Sequence, residues 1–196
     1  RRVATQSTKP SINASVAGGS FNTLRSSAGI SARLNKLTYL TQFSTIQSGG
    51  FSAATDTTGI KNFDKDGYKQ YTLRAQIVYK TGVNSTLSAG ILNSRYKTDL
   101  DAAAFKDEKD FIATNTNRQL NTSWKKSNAS SALSIAYQYN WVERNYLDDS
   151  SYRSNTYAYF SKSNYIGRTH FAEINASKQF SNWEVLAGLD FRHNST

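Results

Sequence analysis

The run NFDKDG, residues 62–67, sets Asn62, Asp64 and Asp66 at alternate positions ahead of Gly67. Oxygen ligands two residues apart, closed by a glycine turn, are how a calcium loop begins, because a hard cation needs several oxygens converging within one turn. The twelfth position of such a loop would be Leu73, where an EF-hand needs a bidentate Glu, so this is not an EF-hand. Asp and Gly also favour turns with no metal at all. Calcium held by Asp64 and Asp66 is thus one expectation, and a plain acidic turn is the other.

Other chemistries find less support. The two histidines, His170 and His193, fall in no metal-binding motif, and there is no cysteine. The many serines lack a G-x-S-x-G elbow. No catalytic residue is assigned, and the chain is not expected to be an enzyme. Aromatic residues are more suggestive: Phe51, Tyr68, Phe105, Tyr146, Tyr152, Tyr157 and Tyr159 all fall in polar stretches between apolar runs. Such rings suit either an amphipathic ligand vestibule or the packing of loops on one another.

The elements that must position these residues read as strands. From Tyr71 to Tyr79 the odd positions are Tyr, Leu, Ala, Ile and Tyr, and the even ones are polar except Val78. Alternation with period two marks a strand with one apolar face. The same pattern places strands near 11–19, 23–34, 37–47, 69–80, 86–97, 115–126, 131–144, 167–180 and 183–192. After the first hairpin the connections alternate short and long, the long ones covering 48–68, 98–114 and 145–166. Within the second, DAAAFKDEKDF is expected to hold a helical turn or two, with Asp101 as N-cap.

One end of the sheet therefore carries tight turns and the other long polar loops, as in an outer-membrane barrel. Tyr71 and Tyr79 lie eight residues apart on one face, which at roughly 3.3 Å per residue and a tilt near 40° spans about 20 Å of membrane normal. The apolar face is expected against lipid and the Ser-, Asn- and Gln-rich face against an interior. Arg25, Arg33, Arg74 and Arg95 are assigned to that interior face, to steer an anionic ligand or to pair with acidic groups there. Net charge is +10, from 24 Lys and Arg against 14 Asp and Glu. The cations are scattered, which argues against a nucleic-acid partner.

ASVAGGSFNTLRSSAGISARLNKLTY (14–39), SGGFSAATD (48–56), NFDKDGYKQYTLRAQIVY (62–79) and YIGRTHFAEINASKQFSNWEVLAGLDFRHNST (165–196) resemble barrel strands of TonB-dependent outer-membrane transporters, in the branch of vitamin B12 and siderophore receptors. The resemblance implies an all-β fold: about nine meandering antiparallel strands of a transmembrane β-barrel of 22 strands. Residues 1–10 would be a residual linker from an N-terminal plug and 11–196 a partial barrel. It implies import of a ferric siderophore, cobalamin or similar chelate in the outer membrane of a Gram-negative bacterium. The partners would be lipid, the plug and TonB, with calcium ordering the extracellular loops. Two other readings stand beside it: a small outer-membrane barrel with a structural or adhesive role, and a soluble secreted glycan-binding β-domain.

Overall fold

The computed structural model describes residues 9–57, 59, 63–149 and 160–196. They form nine strands: β1 (Ser11–Gly19), β2 (Thr23–Leu34), β3 (Leu37–Ser48), β4 (Tyr68–Gly82), β5 (Ser85–Asp99), β6 (Phe111–Ser127), β7 (Ser131–Asp149), β8 (Phe160–Phe180) and β9 (Trp183–Ser195). All nine belong to one antiparallel sheet whose spatial order is the chain order. β1 and β9 pair on one side only, so the sheet is open. There is no helix among the described residues.

Tight turns after β2, β4, β6 and β8 lie at one end. At the first of them Asn35 takes a φ of 51°, a left-handed conformation that Asn tolerates better than most side chains. The longer connections 49–67 and 100–110 lie at the other end, as do the end of β7 at Asp149 and the start of β8 at Phe160. The strands reach further loopward than the sequence pattern suggests: β5 runs to Asp99, β6 starts at Phe111, β7 runs to Asp149 and β8 starts at Phe160. Residues 101–111 hold no helical turn. Ala103 and Lys106 instead exchange backbone hydrogen bonds of 3.3 and 3.0 Å in a tight turn.

The register divides the two faces cleanly. On one, Phe43, Leu73, Ile77, Ile91, Leu120, Ile135, Ile174 and Leu189 follow one another across the sheet. On the other, hydroxyls bond across strands: Ser15 to Ser27 at 2.8 Å, Thr72 to Ser94 at 3.1 Å and Ser88 to Ser123 at 2.7 Å. Small residues keep this face tight. A Cβ on Gly90 would come within 2.8 Å of the Asn121 side chain opposite. One interior assignment is corrected: Arg95 lies directly across from Tyr71, and directly opposed residues share a face, so Arg95 is on the apolar side. Arg74, next to Leu73 and Ala75, stays on the polar side.

The apolar side chains are the uncovered ones. The only buried hydrophobic residues among those described are Ala32, Ala54 and Ala113, whereas Ile77, Tyr79, Leu87 and Ile91 are exposed and Leu189 is 75% exposed. In β4 the apolar residues Tyr71, Leu73, Ile77 and Tyr79 are exposed and the polar Gln70, Thr72 and Gln76 are partly covered. That inverts a soluble domain, which needs a second layer over its apolar face. An uncovered apolar surface of this extent demands a non-aqueous neighbour. Without detergent the chain should elute from size-exclusion chromatography as an aggregate, and with detergent as a β-rich, discrete species; a monodisperse β-rich monomer in water alone would contradict this.

Candidate metal centre

Two loops from different hairpins meet at the long-connection end. Thr55 N donates to Ala104 O at 2.7 Å, joining the β3–β4 loop to the β5–β6 loop. The first loop closes on itself where Asp66 N donates to Phe51 O at 3.2 Å. Gly50 makes this closure possible: its φ is +67°, and a Cβ there would lie 1.8 Å from Asp66 O.

Asp101, expected to cap a helix, joins the loops instead. Its Oδ2 accepts from Ala54 N at 2.6 Å and from Ser52 Oγ at 3.3 Å, and its Oδ1 accepts from Glu108 N at 3.2 Å. Asp66 Oδ2 accepts from Ala53 N, and Asp107 Oδ1 accepts from Asp64 N at 3.0 Å. A backbone donor thus fixes one oxygen of Asp66 and one of Asp107, while both oxygens of Asp101 are held. Asp64 Oδ1, Asp66 Oδ1 and Asp107 Oδ2 are buried without a hydrogen bond. Lys109 Nζ lies 4.0 Å from Asp107 Oδ2.

Asp64, Asp101 and Asp107 each bring a carboxylate oxygen within 4.8 Å of the other two. Oxygens on opposite sides of a calcium ion, each bound at about 2.4 Å, would be separated by a similar distance. The donor set is all oxygen, which suits a hard cation such as calcium and not a soft one. The residues present therefore fit the group.

Electrostatics agree with the geometry. Burial raises the Asp66 carboxyl to about 6, against the lowering hydrogen bond from Ala53 N, and the carboxylates of Asp101 and Asp64 push the same way as burial. Asp64 is raised too, first by burial and then by Asp107. Crowded carboxylates that share one site cannot all ionise cheaply, and a bound cation would remove that penalty.

Of the residues singled out in the sequence, Asp64 and Asp66 are brought together, while Asn62 lies outside the described residues. Asp101 and Asp107 escaped sequence reasoning as ligands. The one available signal was the acidic density of DEKD at 107–110. A second acidic group, Glu108, Asp110 and Asp148, has carboxylate oxygens within 4.8 Å of one another. Burial, then Asp110, then Asp148 raise Glu108 to about 7.

The described aromatic residues among those singled out do not form one constellation. Phe51 packs on Phe21 at 5.1 Å, Tyr68 on Tyr96 at 5.8 Å, and Tyr146 between Phe111 at 6.5 Å and Tyr165 at 6.1 Å. Tyr68 and Tyr146 lie in strands rather than loops, both on the polar face. Phe105 is 65% exposed. Tyr152, Tyr157 and Tyr159 lie outside the described residues. A hollow of about 610 Å³ lies at the tight-turn end of the polar face, between Lys125, Ser134, Asn175 and Gly188, far from the carboxylates.

No protein-family model matches the chain, and no curated protein matches it.

The closure at Gly50 makes a testable demand. Gly50→Ala forces a clash with Asp66 O and an unfavourable left-handed backbone, the latter alone costing about 1–2 kcal/mol. It should open the 49–67 loop to protease well before the sheet unfolds. Gly59→Ala, at φ +75° with nothing within 4 Å of the added Cβ, should cost less. Equal protection of both variants and the parent would show that the loop does not depend on this contact.

Proposed function

We propose that this chain is part of the β-barrel of a TonB-dependent outer-membrane receptor that imports a scarce nutrient, such as a ferric siderophore, cobalamin or a similar chelate. The observation that carries the reading is the single-layer sheet: its apolar face is uncovered, its polar face is tight with hydroxyls, and its long loops share one end. A closed barrel in lipid meets both demands, because the bilayer covers the apolar face and closure pairs the edges. A tilted strand needs about 9–11 residues to cross a bilayer, and β7 and β8 have 19 and 21. Their polar loopward ends would stand above the membrane with the carboxylate cluster.

In this reading Asp64, Asp101 and Asp107 would supply calcium ligands, with the Asp66 carboxylate beside them, and Asp101 would also hold the two loops in register. Calcium would neutralise the cluster and order the loops over the polar face, where the chelate enters. TonB, acting through a plug, would supply the energy for its passage.

Two results follow. Calcium must displace the protons held by Asp66 and Asp64, so its affinity should rise with pH through about 6 and then level. The raised carboxyls have the matching effect on the loops without calcium. Their stability is fully present below the ordinary carboxylate range, near 4, and is lost as pH rises through about 6. At pH 7, calcium should protect the 49–67 loop from protease; at pH 5 it should protect weakly, and Asp64→Ala should abolish the effect. Cleavage unchanged by calcium at both pH values would end the calcium assignment.

The second result concerns lipid. Ala75→Arg places a charge on the apolar face and should destabilise the barrel in vesicles by about 2–4 kcal/mol. Arg74→Ala, on the other face, should cost less in a barrel without its plug. A neutral Ala75→Arg beside a severe Arg74→Ala would invert the faces and overturn the membrane reading.

A further inference from the structure

The apolar face does not end uniformly. Toward the tight turns it runs through Tyr137, Ala172 and Phe191 in one cross-strand row. One row nearer the loops are Ile91, Leu120, Tyr139, His170 and His193. The next row is Asn93, Arg118, Trp141 and Arg168, and the one beyond it is Tyr71, Arg95, Thr116 and Glu143. Lys69 and Lys97 then stand directly opposite each other across β4 and β5. The loopward border of this face thus collects five cations: Lys69, Arg95, Lys97, Arg118 and Arg168.

The charges around them do not cancel. Lys97 lies 3.9 Å from Asp99. Glu143, the other acid on the border, accepts from the Asn145 and Asn164 amides at 3.3 and 2.9 Å. Arg95, Arg118 and Arg168 have no ion-pair partner among the described residues, and all three are exposed. Like charges directly opposite on one face are destabilising, and of the Lys69–Lys97 pair only Lys97 has an acid beside it. Aromatic rings stand among the cations: Arg118 lies 4.7 Å over Trp141 and Lys69 5.4 Å from the Tyr71 ring. A ring flanked by a cation, with apolar rows on one side and polar strand on the other, suits a membrane interface.

We infer that this border is a docking surface for the phosphate head groups of an anionic outer-leaflet lipid, with the acyl chains lying along the apolar rows below. The inference rests on the membrane reading. Charge complementarity selects the occupant: excess guanidinium groups favour phosphate bidentately, and an anionic lipid offers phosphate beside hydrocarbon as the cations here stand beside apolar rows. Arg95, Arg118 and Arg168 are assigned the phosphate contacts, and Trp141 the boundary between head group and chain.

The test reconstitutes the full-length protein into phosphatidylcholine vesicles containing a minor fraction of a phosphorylated glycolipid. Brominated versions of each lipid report which one lies against the tryptophans by quenching their fluorescence, and mass spectrometry of the detergent-extracted protein reports which lipid is retained. The wild-type protein should enrich the phosphorylated lipid over phosphatidylcholine. Arg95→Gln/Arg118→Gln/Arg168→Gln should lower that preference about tenfold or more, since each basic residue at an anionic surface contributes roughly fivefold. Arg144→Gln, on the polar face, should leave it unchanged, and millimolar inorganic phosphate should not displace the lipid. Insertion without preference, or a triple variant that keeps the preference, overturns the inference and leaves the membrane reading intact. Displacement by inorganic phosphate would mark a free-anion site and overturn it as well. Failure to insert into any vesicle would overturn both.

Discussion

A single hydrogen-bonded layer is the constraint on which the rest depends. Nine strands in chain order satisfy one another's backbone groups but supply no second layer. Every odd side chain from Tyr71 to Tyr79 therefore faces away from protein. Burial of apolar area is the dominant favourable contribution to folding, and here it must come from outside the sheet. The polar face shows the complementary economy: serine, threonine and glycine allow close approach and cross-strand hydroxyl bonds that large side chains would prevent.

The carboxylate cluster depends on that layer. β3 and β4 deliver one loop and β5 and β6 the other, and the β4–β5 ladder fixes their separation. Asp64 N reaches Asp107 Oδ1, 43 residues on, at 3.0 Å. Backbone donors hold both oxygens of Asp101 and one each of Asp66 and Asp107, and burial beside these neighbours makes the raised Asp66 and Asp64 carboxyls a product of the fold. The crowded carboxylates carry electrostatic repulsion that a divalent cation would relieve, and in the proposed reading this would couple loop order to calcium and to pH.

Much of this was legible from the chain alone. β2 was bounded correctly at 23–34 because strict alternation runs from Leu24 to Leu34 and Asn35 supports a turn. The loopward ends of β7 and β8 look like loop in the sequence because residues 145–149 and 160–166 alternate weakly; neighbouring strands hold them in the sheet rather than their own pattern. Asp64 and Asp66 announced themselves by spacing. Asp107 could not, since its partner sits in another hairpin, and Asp101 carried a local helix-cap signal that the pairing of two loops overrode. Arg95 needed only its parity with Leu87 and Ile91 to be placed on the apolar face; its charge suggested the wrong side. The substrate left no such trace, and the described aromatic residues divide among separate contacts.

The central claim is that the apolar face meets hydrocarbon while the polar face meets water. Spin labels placed singly at each position from 71 to 79, in the protein reconstituted in lipid vesicles, test it directly. Accessibility to oxygen, which concentrates in hydrocarbon, should peak at 71, 73, 75, 77 and 79. Accessibility to a water-soluble nickel complex should peak at the even positions between them, so the two patterns should alternate out of phase. In-phase patterns, or oxygen peaks at the even positions, would contradict the account.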